Sequence, residues 1–92
     1  MNENQEVWVF NGAGARFASA VFSTREAAEE WIARHSLAGI LTKYPVDIAV
    51  YDWAVANGAF NPKKEEHSQA EFIGKFTTAS QEHCHYEDGK II

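Results

Sequence analysis

Residues 7–22 read VWVFNGAGARFASAVF, two β-rich runs separated by a glycine-containing segment. Val7–Phe10 favours a first strand because it consists of β-branched and aromatic residues. Asn and Gly tolerate positive φ, so residues 11–14 predict a hairpin loop and residues 17–22 a second strand. Both faces of the first strand carry apolar side chains, whereas a half-exposed antiparallel strand should alternate apolar with polar. We therefore expect the hairpin to be covered on both sides, by helices or by a second copy of the chain.

The rest of the chain predicts three helices and two further strands. A helix from about Thr24 to His35 is indicated by a capping box, Ser23 with Glu26, before an apolar stripe at helical spacing. The other predicted elements are a strand over residues 39–44, a helix over 49–57, a helix after a second capping box at 68–71, a strand over 80–87 and a turn at 88–89. The predicted fold is α+β in the order β-β-α-β-α-α-β, a four-stranded, mainly antiparallel sheet with helices packed on it.

Length and cysteine content predict one small cytoplasmic domain. The 92 residues fit a single domain over residues 1–92, and the polar residues 1–5 are expected to be flexible. The lone cysteine, Cys84, excludes an internal disulfide and favours a reducing compartment. The polar start is unlike a signal peptide, and no apolar run approaches the ~20 residues that span a bilayer.

The charge balance argues against two classes of partner. Thirteen acidic residues against eight basic ones give a net charge of −5. This leaves no surplus of cations to neutralise phosphates, so we expect neither a nucleic acid nor an anionic membrane surface as partner. A protein partner is compatible with this charge.

The segment around His83 and His85 is the sharpest chemical signal. On a strand both histidines point to the same face, as two ligands of one metal would. Alternatively, they form the polar outer face of a terminal strand, with Cys84 and Tyr86 pointing inward. A closed zinc site needs four ligands, so the second interpretation is favoured and we expect no cofactor.

A second group of candidate residues combines two carboxylates with three aromatic rings, namely Tyr44, Asp47, Tyr51, Asp52 and Trp53. Paired carboxylates can perform acid–base chemistry when burial separates their pKa values. Tyr and Trp beside acidic residues also make good anchors of a protein interface. The structural alternative is that Trp53 belongs to the core, Asp47 caps a helix and Asp52 is solvated.

Four segments together resemble a known family. They are Val7-Trp8-Val9-Phe10, Tyr51-Asp52-Trp53-Ala54, Asn57-Gly58 with Phe60 and Pro62-Lys63, and Glu82-His83-Cys84-His85-Tyr86-Glu87. The chain resembles, over roughly residues 6–90, a family of short bacterial proteins known as a domain of unknown function. The resemblance implies a bacterial, cytosolic, stand-alone domain, and it brings no activity, cofactor or catalytic residue.

The leading functional hypothesis is a small acidic protein-binding domain without catalytic activity, of an immunity, antitoxin-like or accessory kind. A homodimer is predicted because an apolar sheet face left uncovered usually marks an interface. One alternative is a metal-binding domain or small hydrolytic enzyme that uses His83 and His85. The other is a small-molecule sensor with a pocket near Tyr51 and Trp53.

Overall fold

A computed structural model describes residues 5–92, and these residues form two units. The first unit combines residues 5–46 with Gln81–Ile92, and the second is Asp47–Ser80. The flexibility expected of residues 1–5 concerns a segment that, apart from Gln5, lies outside the described residues. The single domain expected from the length stays a prediction.

The first unit is built on an antiparallel sheet, which confirms the α+β class. Its strands are β1 Glu6–Gly12, β2 Ala20–Phe22, β3 Gly39–Pro45, β4 His83–Glu87 and β5 Lys90–Ile91, in the spatial order β2-β1-β3-β4-β5. Every neighbouring pair is antiparallel. The expected four strands are wrong, because the sheet has five.

The fifth strand follows from the turn after β4. Asp88 and Gly89 both have positive φ, 55° and 77°, and Glu87 pairs with Lys90 across them. Two central residues with positive φ make the two-residue turn whose twist matches a β-hairpin. A two-residue strand is too short to show a period, so the sequence indicated the turn without the strand.

The first hairpin differs from its prediction in both strand bounds. Asn11 and Gly12 belong to β1 rather than to a loop, because they pair with Ile40 and Gly39 of β3. The loop covers residues 13–19 instead, and β2 keeps only three residues. Pairing with a strand distant in sequence therefore overrides the local turn preference of Asn and Gly.

Helix α1, Arg25–Arg34, begins one residue later than its predicted start. Thr24 is the N-cap: its backbone is extended, and its hydroxyl accepts a hydrogen bond of 3.1 Å from the backbone N–H of Ala27. The predicted capping box on Ser23 is thus wrong by one position. The rest of the helix agrees with its prediction, with Glu26 in the first turn and Arg34 in the last, as suits the helix dipole.

Replacing the cap should loosen this helix. Thr24→Ala removes the acceptor of a helix N-terminal N–H, so we expect a loss of about 1 kcal/mol in the free energy of unfolding. Urea unfolding measures it, and Ser23→Ala, one residue upstream, is the matched control with an expected change near zero. Equal losses for the two variants would show that Thr24 is not the cap.

Helix α1 packs against one face of the sheet. Ala28 and Ile32 are fully buried there against Trp8, Phe10 and Leu41. The ring of Trp31 meets Phe10 edge-to-face, with the centroids 5.5 Å apart, a favourable aromatic geometry. This face of the sheet holds the core of the first unit.

The second unit is mainly helical. It contains α2 Val50–Ala56, a 3₁₀ turn at Glu65–Ser68 and α3 Ala70–Lys75. Helix α2 agrees with its prediction to within one residue at each end, and its C-cap is Asn57, whose side-chain N–H donates to the carbonyl of Trp53 at 2.7 Å. The second predicted capping box is wrong, because the Ser68 hydroxyl donates to the carbonyl of Glu65 within the 3₁₀ turn and Gln69 precedes α3. Among residues 5–92, no helix has the length and apolar character needed to cross a membrane.

Candidate functional site

The sheet of the first unit has a second face, opposite α1. Strand alternation and register place eleven side chains on it: Val7, Val9, Asn11, Val21, Ile40, Thr42, Tyr44, His83, His85, Glu87 and Lys90. We call this set the open face. Val21 is 62% exposed and Ile40 38% exposed. The apolar character that the sequence predicted for both sides of the hairpin is thus confirmed, and one of the two sides presents apolar groups to solvent.

The open face is apolar at its centre and carries charge only at its β4–β5 edge. Of its eleven side chains only Glu87 and Lys90, which are cross-strand partners beside the β4–β5 turn, are charged, although the chain carries 21 charged residues, thirteen acidic and eight basic. One row of the face runs across four strands as Val21, Val9, Thr42 and His83. An apolar centre depleted of charge is the composition found in the buried part of protein interfaces.

The two histidines of β4 lie together at one side of the open face. Their ring centroids are 5.1 Å apart, and His83 Nδ1 donates to the carbonyl of Gln81 at 2.7 Å. Tyr86 is buried on the opposite face, and Cys84 packs against the core there. This is the alternation that the sequence predicted for the strand. Within residues 5–92 no group of three or more His, Cys, Asp or Glu side chains is arranged to hold a metal ion.

On the covered face, a carboxylate joins α1 to β4. The Tyr86 hydroxyl donates to Glu29 Oε2 at 2.5 Å, and Arg25 Nε donates to the same oxygen at 3.1 Å. Burial raises the pKa of Tyr86 far above its usual value, and the bond to Glu29 raises it further. The hydrogen bond from Tyr86 in turn lowers the pKa of Glu29. Both pKa values move away from neutrality, so the pair is suited to holding the helix rather than to exchanging protons near pH 7.

Removing the Tyr86 hydroxyl should cost stability in a pH-dependent way. We expect Tyr86→Phe to lose about 1 kcal/mol at neutral pH, less than a fully buried charged bond because Glu29 is partly exposed. The folded-state pKa of Glu29 lies below its unfolded value, so the bond stabilises above the unfolded value and fades as pH falls through the folded one. Urea unfolding at several pH values should show the difference from wild type shrinking below about pH 4. A difference that is constant from pH 7 to pH 3 would contradict the assignment.

Lys43 lies at the far end of the covered face, which is the face of the sheet that packs against α1. Its Nζ lies 2.9 Å from Glu82 Oε1 and 3.6 Å from Glu6 Oε1. It also lies 5.8 Å from the centre of the Trp8 ring. The hydrogen bond to Glu82 raises the pKa of Lys43, so the side chain stays charged and Glu82 is engaged on this face.

The predicted aromatic–carboxylate group is divided between the two units. Tyr44 lies in β3 on the open face, and the other four residues lie in the second unit. Asp47 is exposed with a φ of 68°, and Asp52 is exposed in the first turn of α2. Asp47 does not cap α2, whose N-cap is Ala49, and Trp53 is half-buried. A binding role for these residues stays a prediction.

Sequence reasoning missed an aromatic cluster in the second unit. Its members are Tyr51, Phe60, His67, Phe72 and Phe76, with ring centroids 4.8–6.3 Å apart. His67 Nδ1 accepts from the backbone N–H groups of Lys63 and Lys64 at 3.1 and 3.2 Å, which connects the backbone of these two lysines to the cluster. An open cavity of about 520 Å³ adjoins it, lined by Glu66, Gln69, Glu71, Phe72, Lys75, Phe76 and Thr77. The helical spacing of Phe72 and Phe76 was the one signal of this cluster in the sequence.

Comparison with known proteins identifies a family without an assigned activity. No curated protein and no solved structure matches the chain. One family model, described as a domain of unknown function (DUF7710), matches residues 7–92, which is nearly the whole chain. The resemblance to a domain of unknown function is thereby confirmed, and the chain belongs to the DUF7710 family.

Proposed function

We propose that this protein is a small protein-binding module without catalytic activity, that it acts through the open face, and that the open face pairs with a second copy of the chain. The observation that carries the proposal is the largely apolar surface opposite α1, on which Val21 is 62% exposed. Contiguous exposed apolar patches are uncommon on monomers and usually mark an interface. A two-fold pairing, which brings the same patch together from both copies, is the commonest arrangement.

Charge supports a second copy as the occupant. Two chains of net charge −5 repel one another wherever their acidic surfaces meet. The charged side chains of the open face, Glu87 and Lys90, are opposite in sign and lie beside each other at its β4–β5 edge, so two copies that meet at its apolar centre avoid placing like charges in contact. A strongly basic partner would find one acidic group, Glu87, among these eleven side chains, and Lys90 already lies opposite it.

The setting we propose is the bacterial cytoplasm, with an immunity, antitoxin-like or accessory role. The lone cysteine supports a reducing compartment, and the chain's acidity supports a role in binding proteins. The Tyr86–Glu29 bond supports the absence of catalysis at that cluster, because it stabilises the unreactive protonation state of both groups.

A second candidate function, small-molecule sensing, rests on the cavity in the second unit. Its volume of about 520 Å³ and its floor of Phe72 and Phe76 suit a ligand with an apolar ring. Lys75 and Glu71, joined by a 3.2 Å ion pair, would give its rim polar groups for orientation.

Sedimentation equilibrium over a micromolar concentration series, with a chelator present, tests the leading proposal. We expect wild type to approach twice 10.3 kDa as concentration rises. Val21→Asp, which places a charge on the open face, should shift the equilibrium to monomer. Phe17→Asp is the matched control, since Phe17 is 77% exposed but lies in the loop before β2. A 10.3 kDa monomer throughout, or a dimer that survives Val21→Asp, would refute the proposal.

A further inference from the structure

We infer that His83 and His85 form one half of a binding site for a divalent transition metal such as Zn²⁺, and that the same pair from a second copy completes it. The inference rests on the proposed function, because the second copy supplies the remaining ligands. It adds to the proposed function a ligand class, divalent transition metals, and a stoichiometry of one ion to two chains.

The separation of the two rings fits joint coordination. An ion bound about 2.0–2.1 Å from one nitrogen of each ring, at a tetrahedral angle, sets the ring centroids about 5 Å apart. The centroids of His83 and His85 are 5.1 Å apart, on the same face of β4. The pair therefore needs little rearrangement to hold one ion.

The proton on His83 is already placed as a metal ligand requires. A carbonyl oxygen only accepts, so the 2.7 Å contact with Gln81 puts a hydrogen on Nδ1 and leaves the lone pair of the neutral ring on Nε2. Metal-bound histidines characteristically donate their other ring N–H to a backbone carbonyl in this way. His85 is exposed and free to turn toward the same ion.

One chain supplies only half of a closed site. Structural zinc is almost always four-coordinate, and residues 5–92 hold no cluster of three or more candidate ligands. Glu82 is engaged with Lys43 on the other face, and Glu87, on the same face as the histidines, forms no group of three ligands with them. The histidines' cross-strand partners on the open face, Thr42 and Ile40, are neutral. Residues 5–92 of one chain do not supply the other two ligands, and a second open face brings two more imidazoles.

The histidines also lie where a second copy can reach them. β5 pairs with Tyr86 and Glu87, so in the described part of the chain no strand pairs with His83 on that side of β4.

The ligand type indicates which metals the site would bind. Imidazole ligands favour Zn²⁺, Cu²⁺ and Ni²⁺ over Mg²⁺ and Ca²⁺, which prefer oxygen.

Titration of untagged full chain with Co²⁺, the spectroscopic substitute for Zn²⁺, tests the inference. We expect visible absorption bands of tetrahedral Co²⁺ that saturate at one ion per two chains and are displaced by Zn²⁺ but not by Mg²⁺. His85→Ala should weaken binding at least about tenfold, since even loss of an outer-shell partner costs 10–100-fold. His35→Ala, at the exposed C-terminal end of α1, is the control and should bind like wild type.

Sedimentation of the same samples with chelator and with Co²⁺ separates this inference from the proposed function. A dimer in chelator that binds no Co²⁺, or binds it equally in His85→Ala, overturns the metal site and leaves the protein-binding proposal intact. A monomer in chelator that dimerises with Co²⁺ through His85 supports the site and overturns pairing by the apolar surface. Monomers in both conditions overturn both.

Discussion

Gly39→Ala is expected to destabilise the first unit by about 3 kcal/mol, because the site has no space for a methyl group. A Cβ at this position would overlap the carbonyl oxygen of Asn11 on the neighbouring strand and would lie 2.7 Å from the ring of Phe10. The carbonyl belongs to a backbone fixed by the β1–β3 pairing, so the overlap is relieved only by moving the strand. Urea unfolding followed by tryptophan fluorescence measures the loss.

Gly12→Ala is the matched control, because Gly12 pairs directly with Gly39 across β1 and β3. A Cβ on Gly12 meets its nearest atom at 3.9 Å, an ordinary contact. We expect its free energy of unfolding to stay within about 1 kcal/mol of wild type. Equal losses in the two variants would show that a general need for glycine flexibility, rather than close packing at Gly39, governs this strand pair.

Leu41→Ala should cost about 2–5 kcal/mol, the range for a fully buried leucine that leaves a cavity. Leu41 has no exposed surface and lies in β3 between Phe10 of β1 and Cys84 of β4. Its loss removes the middle of the core beneath α1. The same urea experiment reports it, and the near-ultraviolet circular dichroism of the core aromatic residues should weaken.

Ile40→Ala is the control for Leu41→Ala, because the two residues are adjacent in β3 and point to opposite faces. Ile40 is 38% exposed on the open face, so we expect a loss of about 1 kcal/mol at low protein concentration. The account would be contradicted if the two variants lost the same stability, since the open face would then be packed as tightly as the core.

Elements specified by their own residues were predictable from the sequence. Helix α1 is indicated by a cap, an apolar stripe and an ordered charge pattern, and its predicted start differs from the observed one by one residue. Helix α2 ends where the Asn57-Gly58 signal placed its end. Such signals are local, so they can be recognised without knowledge of the tertiary structure.

Elements specified by distant partners were not predictable in the same way. Asn11 and Gly12 favour a turn locally, yet β3 holds them in the sheet. β5 exists only because two positive-φ residues return the chain onto β4. Ser23 and Thr24 both carry a hydroxyl that can cap a helix, so the sequence does not distinguish them. The backbone geometry makes Thr24 the cap.

The candidate site likewise has features that local sequence signals predict and features that depend on contacts between distant residues. Strand periodicity was enough to place His83 and His85 on one face and Tyr86 in the core, and the apolar residues on both sides of β1 indicated a second apolar face, which was expected to be covered by helices or by a second copy. The bond between Tyr86 and Glu29 joins residues 57 positions apart, so no spacing rule indicates it. The aromatic cluster of the second unit is likewise assembled across loops, from residues that range from Tyr51 to Phe76.

Methyl NMR over a dilution series tests most directly whether the open face is where two copies meet. Val9, Val21 and Ile40 report on that face, and Ile48 and Val55, both exposed in the second unit, serve as internal references. We predict that, with a chelator present, the three open-face signals shift together as the protein is diluted while the two references stay in place. Signals that do not move with dilution, or shifts confined to methyl groups outside the open face, would contradict the account.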